Sequence, residues 1–99
     1  SLMRAVHLSD LNLAARTLMI VRAEDRSRWI AQILDQAHAA DKFRKRIGRA
    51  HLPYGNGTLA AACQHHPKHP MPIHCDANYL ASMEAVIRGL LARQTHANA

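Results

Sequence analysis

A chain of 99 residues forms one domain with a single modest core. Hydrophobic residues make up 48% of it, but many are alanine and only 4% of the chain is aromatic, which excludes a sheet sandwich and points to helices packed closely on one another. Thirteen Lys and Arg against seven Asp and Glu leave a formal charge of +6, and the eight histidines add to it in acid, a balance suited to anionic partners.

No apolar run approaches the roughly 20 residues needed to cross a bilayer, so no membrane partner is expected. Leu11 to Val21, broken by Asn12, Arg16 and Thr17, lacks the cleavage region of a secretory leader. The resulting expectation is a cytoplasmic protein in which Cys63 and Cys75 stay reduced. Ser1 and Leu2 ahead of Met3 read as added residues, which places the helical domain at 3–95 with a frayed tail at 96–99.

Ser9 and Asp10 are N-cap candidates for a first helix through about Val21. Its apolar residues Leu11, Ala14, Ala15 and Leu18 lie on one side, with Leu13 and Ile20 on the other. After the charged turn from Arg22 to Arg28, one long helix is predicted to run to Gly48. Trp29, Ile30, Ile33, Leu34, Ala37, Ala40, Phe43 and Ile47 form its core face, opposite Arg28, Ala31, Asp35, His38, Lys42, Lys45 and Arg46. Pro53, Gly55, Asn56 and Gly57 then mark an irregular connection. Thr58 caps a short third helix through about His65, and Pro67, Pro70 and Pro72 impose an extended loop. Asp76 caps the last helix, whose stripe of Tyr79, Leu80, Met83, Val86, Ile87, Leu90 and Leu91 is predicted to face the core. The fold class is all-α: a compact bundle of three main helices plus one short one, with the second and last helices as the main pair.

Candidate chemistry is sparse. Cys63, His66, His74 and Cys75 are residue types that ligate zinc, yet their spacing fits no standard zinc module and adjacent His74 and Cys75 point apart in an extended chain. A solvated, proline-stiffened loop is the plain alternative, so no cofactor is expected and zinc stands as the exception to test. Cys75 precedes a helix cap, where a thiol can become nucleophilic, but no companion base is legible and a small, partly buried role suits it better. Lys42, Arg44, Lys45, Arg46 and Arg49, with His51 beyond, form a basic patch suited to phosphates. The same charges also complement a helix C-terminus, with Asp41 pairing to Lys45, and only Tyr54 is placed to stack on a base. Tyr54 to Thr58 reads as an ordinary turn and cap, without the lysine of a phosphate loop.

Opposite the stripe of the last helix, Ala81, Ser82, Ala85, Gly89 and Ala92 are small enough to admit another helix. They, or Leu13 and Ile20, are the faces expected to form an isologous homodimer.

The span Ala40-Asp-Lys-Phe-Arg-Lys-Arg-Ile-Gly-Arg-Ala-His-Leu-Pro-Tyr-Gly-Asn-Gly-Thr-Leu-Ala-Ala-Ala62 resembles a motif of a family of small, uncharacterised alphaproteobacterial proteins, and the likeness extends into both flanking helices. The resemblance implies a compact helical protein and carries over no catalytic residue; the Cys and His cluster falls outside its pattern. The leading expectation is a non-enzymatic helical interaction or adaptor module with a protein partner. A nucleic-acid-associated protein is the alternative, ahead of a metal- or thiol-dependent enzyme.

Overall fold

The computed structural model describes residues 5–47 and 57–98, with side chains through residue 46 in the first stretch and residue 95 in the second. Helices α1 (Leu8–Leu18), α2 (Arg26–Ile47), α3 (Leu59–Cys63) and α4 (Ala77–Asn98) follow in chain order, with a 3-10 turn, Ala23–Asp25, leading into α2. The predicted all-α bundle of three main helices and one short helix is the observed architecture. Gly48, Arg49, His51 and Tyr54 lie outside the described residues.

Helix α1 starts earlier and stops sooner than its sequence suggests. His7 occupies the N-cap position and Asp10 sits in the first turn, where its Oδ2 accepts the His7 backbone N–H at 2.8 Å. The other carboxylate oxygen accepts the backbone N–H of Ala60 at 2.9 Å, in the first turn of α3. One buried anion therefore satisfies amides at the N-termini of two helices, the ends where unpaired N–H groups favour negative charge. The predicted caps of the later helices are in place: Thr58 Oγ1 accepts from Ala61 N at 3.1 Å, and Asp76 Oδ1 from Tyr79 N at 3.0 Å.

At the opposite end of α1 the carbonyls are collected by side chains from elsewhere. Arg26 Nε donates to Leu18 O at 3.0 Å and Val21 O at 3.1 Å, its Nη2 donates to Asn78 Oδ1, and Asn78 Nδ2 donates to Met19 O at 3.2 Å. A cation held at a helix C-terminus complements its negative end. This clamp ends α1 before the predicted Val21 and joins α1, α2 and α4 at one point.

The core gathers Ala14, Ala15 and Leu18 from α1, Ile30, Ile33, Leu34 and Ala37 from α2, Leu59 and Cys63 from α3, and Val86 from α4. Five of the eight residues of the predicted α2 face are fully buried: Ile30, Ile33, Leu34, Ala37 and Ala40. Phe43 departs from the prediction at 36% exposed, while Asp41 is 1% exposed. Gly57, with φ +95°, packs on Asp41: a Cβ there would stand 2.7 Å from the Asp41 Cα, so the backbone bend and the close approach both call for glycine. Helix α4 packs more extensively on α1 than on α2, which corrects the expected main pair. The physical reason is that α1 is sandwiched, giving Asn12 to Tyr79 Oη at 2.9 Å as well as its apolar face.

Removing the Asp10 carboxylate leaves two backbone donors without their acceptor. Asp10→Ala is expected to cost about 2–4 kcal/mol, and Asp10→Asn less because its amide oxygen still accepts one bond. Denaturant midpoints of the two variants against the parent protein check this ordering.

Candidate interaction surface

Four of the six basic-patch residues are described. Lys42, Lys45 and Arg46 are exposed and Arg44 is half-buried. Lys45 Nζ lies 3.0 Å from Asp41 Oδ2, the ion pair expected from the sequence. Arg49 and His51 fall outside the described residues.

The Cys and His residues do not converge. Cys63 is buried in the core beside the Thr17 hydroxyl, and burial pushes its thiol up to about 11. His66 turns its ring edge-on to Trp29, with centroids 5.9 Å apart, whereas His74 and Cys75 are exposed. Among the described residues no three His, Cys, Asp or Glu side chains group as metal ligands would. Cys75 is thus a surface thiol rather than the partly buried residue expected. The proline-bearing loop owes its path to α1: Arg16 O accepts the His69 N–H at 3.0 Å, and Arg16 Nε donates back to His69 O at 2.8 Å.

Of the stripe predicted for α4, Val86 is buried and Tyr79, Met83 and Leu90 pack against the core, whereas Leu80, Ile87 and Leu91 are exposed, so the helix is rotated relative to the sequence expectation. Ser82 and Val86 are fully buried, and Gly89 faces α2, where an added Cβ would stand 3.0 Å from Ile30 Cγ2 and 3.4 Å from Leu34 Cδ1. Arg93 fixes this orientation by donating to Ala31 O at 3.1 Å and to the Asp35 carboxylate. Small residues here let α4 approach α2 of the same chain. Ser82, expected at an interface between chains, is inside the fold, its hydroxyl without a hydrogen-bond partner among the described residues. Ala81, Ala85 and Ala92 line a cleft of about 690 Å³ that α4 forms with Ala23, Ser27 and Ala31.

The rotation sends large apolar side chains outward. Leu80 is 53% exposed, Ile87 43% and Leu91 60%, and with Met83 they border a shallow depression flanked by Glu84 and Arg88. Glu84 and Arg88 are themselves paired at 3.6 Å. The two α1 candidates do not share this surface or one another's: Leu13 lies beside Ala60, Ala61 and Gln64, and Ile20 borders a recess of about 270 Å³ with Trp29, His66 and Pro67. The signal in the sequence that would have found the stripe is Gly89, the one residue of α4 without a side chain and hence a marker of close helix approach.

A model of a domain of unknown function, DUF7742, matches residues 4–90. The chain belongs to the DUF7742 family. No curated protein and no solved structure matches this DUF7742 chain. No described helix of it is long and apolar enough to cross a membrane.

Two measurements probe the side chains placed here. In the native DUF7742 chain at neutral pH, Cys75 is expected to react promptly with a thiol reagent and Cys63 only after denaturation, because Cys63 is buried and protonated; a thiol count before and after unfolding reads this directly. Burial lowers the pKa of both His38 and His66 below the ordinary 6.5, and neighbouring cations add to it. The unfolded chain therefore binds more protons, so this contribution to stability is present above pH 6.5 and is lost as pH falls below it. The melting temperature should drop through that range, and less steeply in His66→Phe, which keeps a ring against Trp29 but cannot titrate.

Proposed function

We propose that this chain is a non-enzymatic protein-interaction module whose contact surface is the outward stripe of α4. The observation that carries the reading is the clustering of Leu80, Ile87 and Leu91 on one exposed helix face. Isolated apolar residues on a surface are ordinary, but three large ones in line with mixed charge at the rim are the anatomy of a contact. The scaffold behind them supports the same reading, because α4 is held by Arg93, Asn78 and Tyr79 and presents the stripe on a rigid element. No described group pairs a nucleophile with a base around this face, which offers shape and apolar area rather than reactive atoms.

A photo-crosslinking residue replacing Leu91 tests the proposal inside cells. Covalent protein adducts that survive nuclease treatment and vanish in Ile87→Glu are the expected result. Absence of protein adducts, together with nuclease-sensitive retention that Lys42→Glu and Arg46→Glu abolish, would transfer the function to the basic patch and nucleic acid.

A further inference from the structure

The stripe is self-complementary, and we infer that its occupant is a second copy of this chain, docked antiparallel through α4 about a two-fold axis at the level of Val86. The inference rests on the interaction reading above and adds the identity of the partner.

Helical spacing carries the argument. At 100° per residue, Leu80, Ile87 and Leu91 fall within a narrow band, Met83 on one side of it, and Glu84 and Arg88 both on the other. All six border the exposed depression. A two-fold axis perpendicular to two antiparallel helices reverses direction along the helix but keeps each flank on its own side. With the axis at the level of Val86, Glu84 of one copy lies opposite Arg88 of the other, and Arg88 opposite Glu84. The same operation brings Leu80 of one copy to within one residue, about 1.5 Å of rise, of Leu91 of the other at both ends, and the two Ile87 side chains meet near the axis. The apolar register and the charge register agree to within one residue at this position of the axis. In a parallel pair the charged flanks fall on opposite sides and no such pairing forms.

Charge also separates this occupant from others. A nucleic acid or an anionic lipid surface favours a cationic rim, whereas this rim carries one carboxylate and one guanidinium already within 3.6 Å of each other. A symmetric copy supplies the complementary pair with no further residue required. A contact through one helix face is small for a protein interface, so a dissociation constant in the micromolar range is expected.

Sedimentation equilibrium of the intact chain from micromolar to millimolar concentration tests the dimer. The expected result is a reversible monomer–dimer equilibrium, lost in Ile87→Glu and unchanged in Lys45→Glu, with circular dichroism reporting that both variants stay helical. The register is tested by charge reversal. Glu84→Arg and Arg88→Glu should each weaken self-association by roughly tenfold or more, since each sets two like charges face to face. Mixed together, the two variants should form a heterodimer, because every facing pair is then of opposite sign. A monomer at all concentrations, a dimer indifferent to Ile87→Glu, or a mixture that associates no better than its components overturns the inference. If the chain is monomeric while the crosslinker at Leu91 still captures another protein, the second copy is excluded and the interaction module stands.

Discussion

The contact of α4 with α2 at Gly89 is the constraint on which the exposed surface depends. A Cβ at Gly89 would stand 3.0 Å from Ile30 Cγ2, tighter than ordinary van der Waals contact, and Ser82 and Val86 are buried on the same side of α4. Once that face is turned inward, helical geometry leaves Leu80, Ile87 and Leu91 outside. The apolar stripe is thus a consequence of close packing within the chain. Burying the large residues instead would hold the helices further apart and separate Ile30 and Leu34 from Gly89, a loss of dispersion contacts over the centre of the core.

A core this rich in alanine contributes little apolar area per residue, and the polar clamps take on much of the work of orienting the helices. Asp10 ties α1 to α3 through two amides, Arg26 and Asn78 tie the end of α1 to α2 and α4, and Arg16 holds the proline-bearing loop. Each of these side chains meets backbone groups at the end of an element or in a loop, where no partner exists within the element itself. Such bonds are directional in a way that apolar burial is not, and they select one arrangement of helices among the several that would cover the same apolar faces. Asp41 extends the pattern less completely: it is buried and paired to Lys45 through one oxygen, while Oδ1 has no hydrogen-bond partner among the described residues.

The candidate site was legible in the sequence only in outline. Amphipathic spacing placed Tyr79, Met83, Val86 and Leu90 of α4 toward the core, where they pack, yet assigned Leu80, Ile87 and Leu91 there as well and gave the small residues to an interface between chains. Hydropathy ranks residues by transfer from water and takes no account of how near two helix axes can come. Gly89 and Ser82 rank poorly on that scale, yet Ser82 is fully buried and Gly89 lies against Ile30 and Leu34, where a small residue lets the helices approach. The Cys and His residues show the converse: proximity in sequence suggested a shared site, but Cys63 ends a buried helix while His74 and Cys75 stand on an exposed loop, so the chain geometry separates them.

By itself the sequence determined the helical class, the long central helix and its buried core of Ile30, Ile33, Leu34 and Ala37, and the caps at Thr58 and Asp76, because periodicity and capping are properties of neighbouring residues. It also determined the pairing of Asp41 with Lys45, a single turn apart. The tertiary structure alone decided the rotation of α4, the burial of Asp10 and Arg26, and the point at which α1 ends. Each of those depends on a partner about 50 residues away or on the distance between two helix axes, and neither quantity is written in the local pattern of a chain.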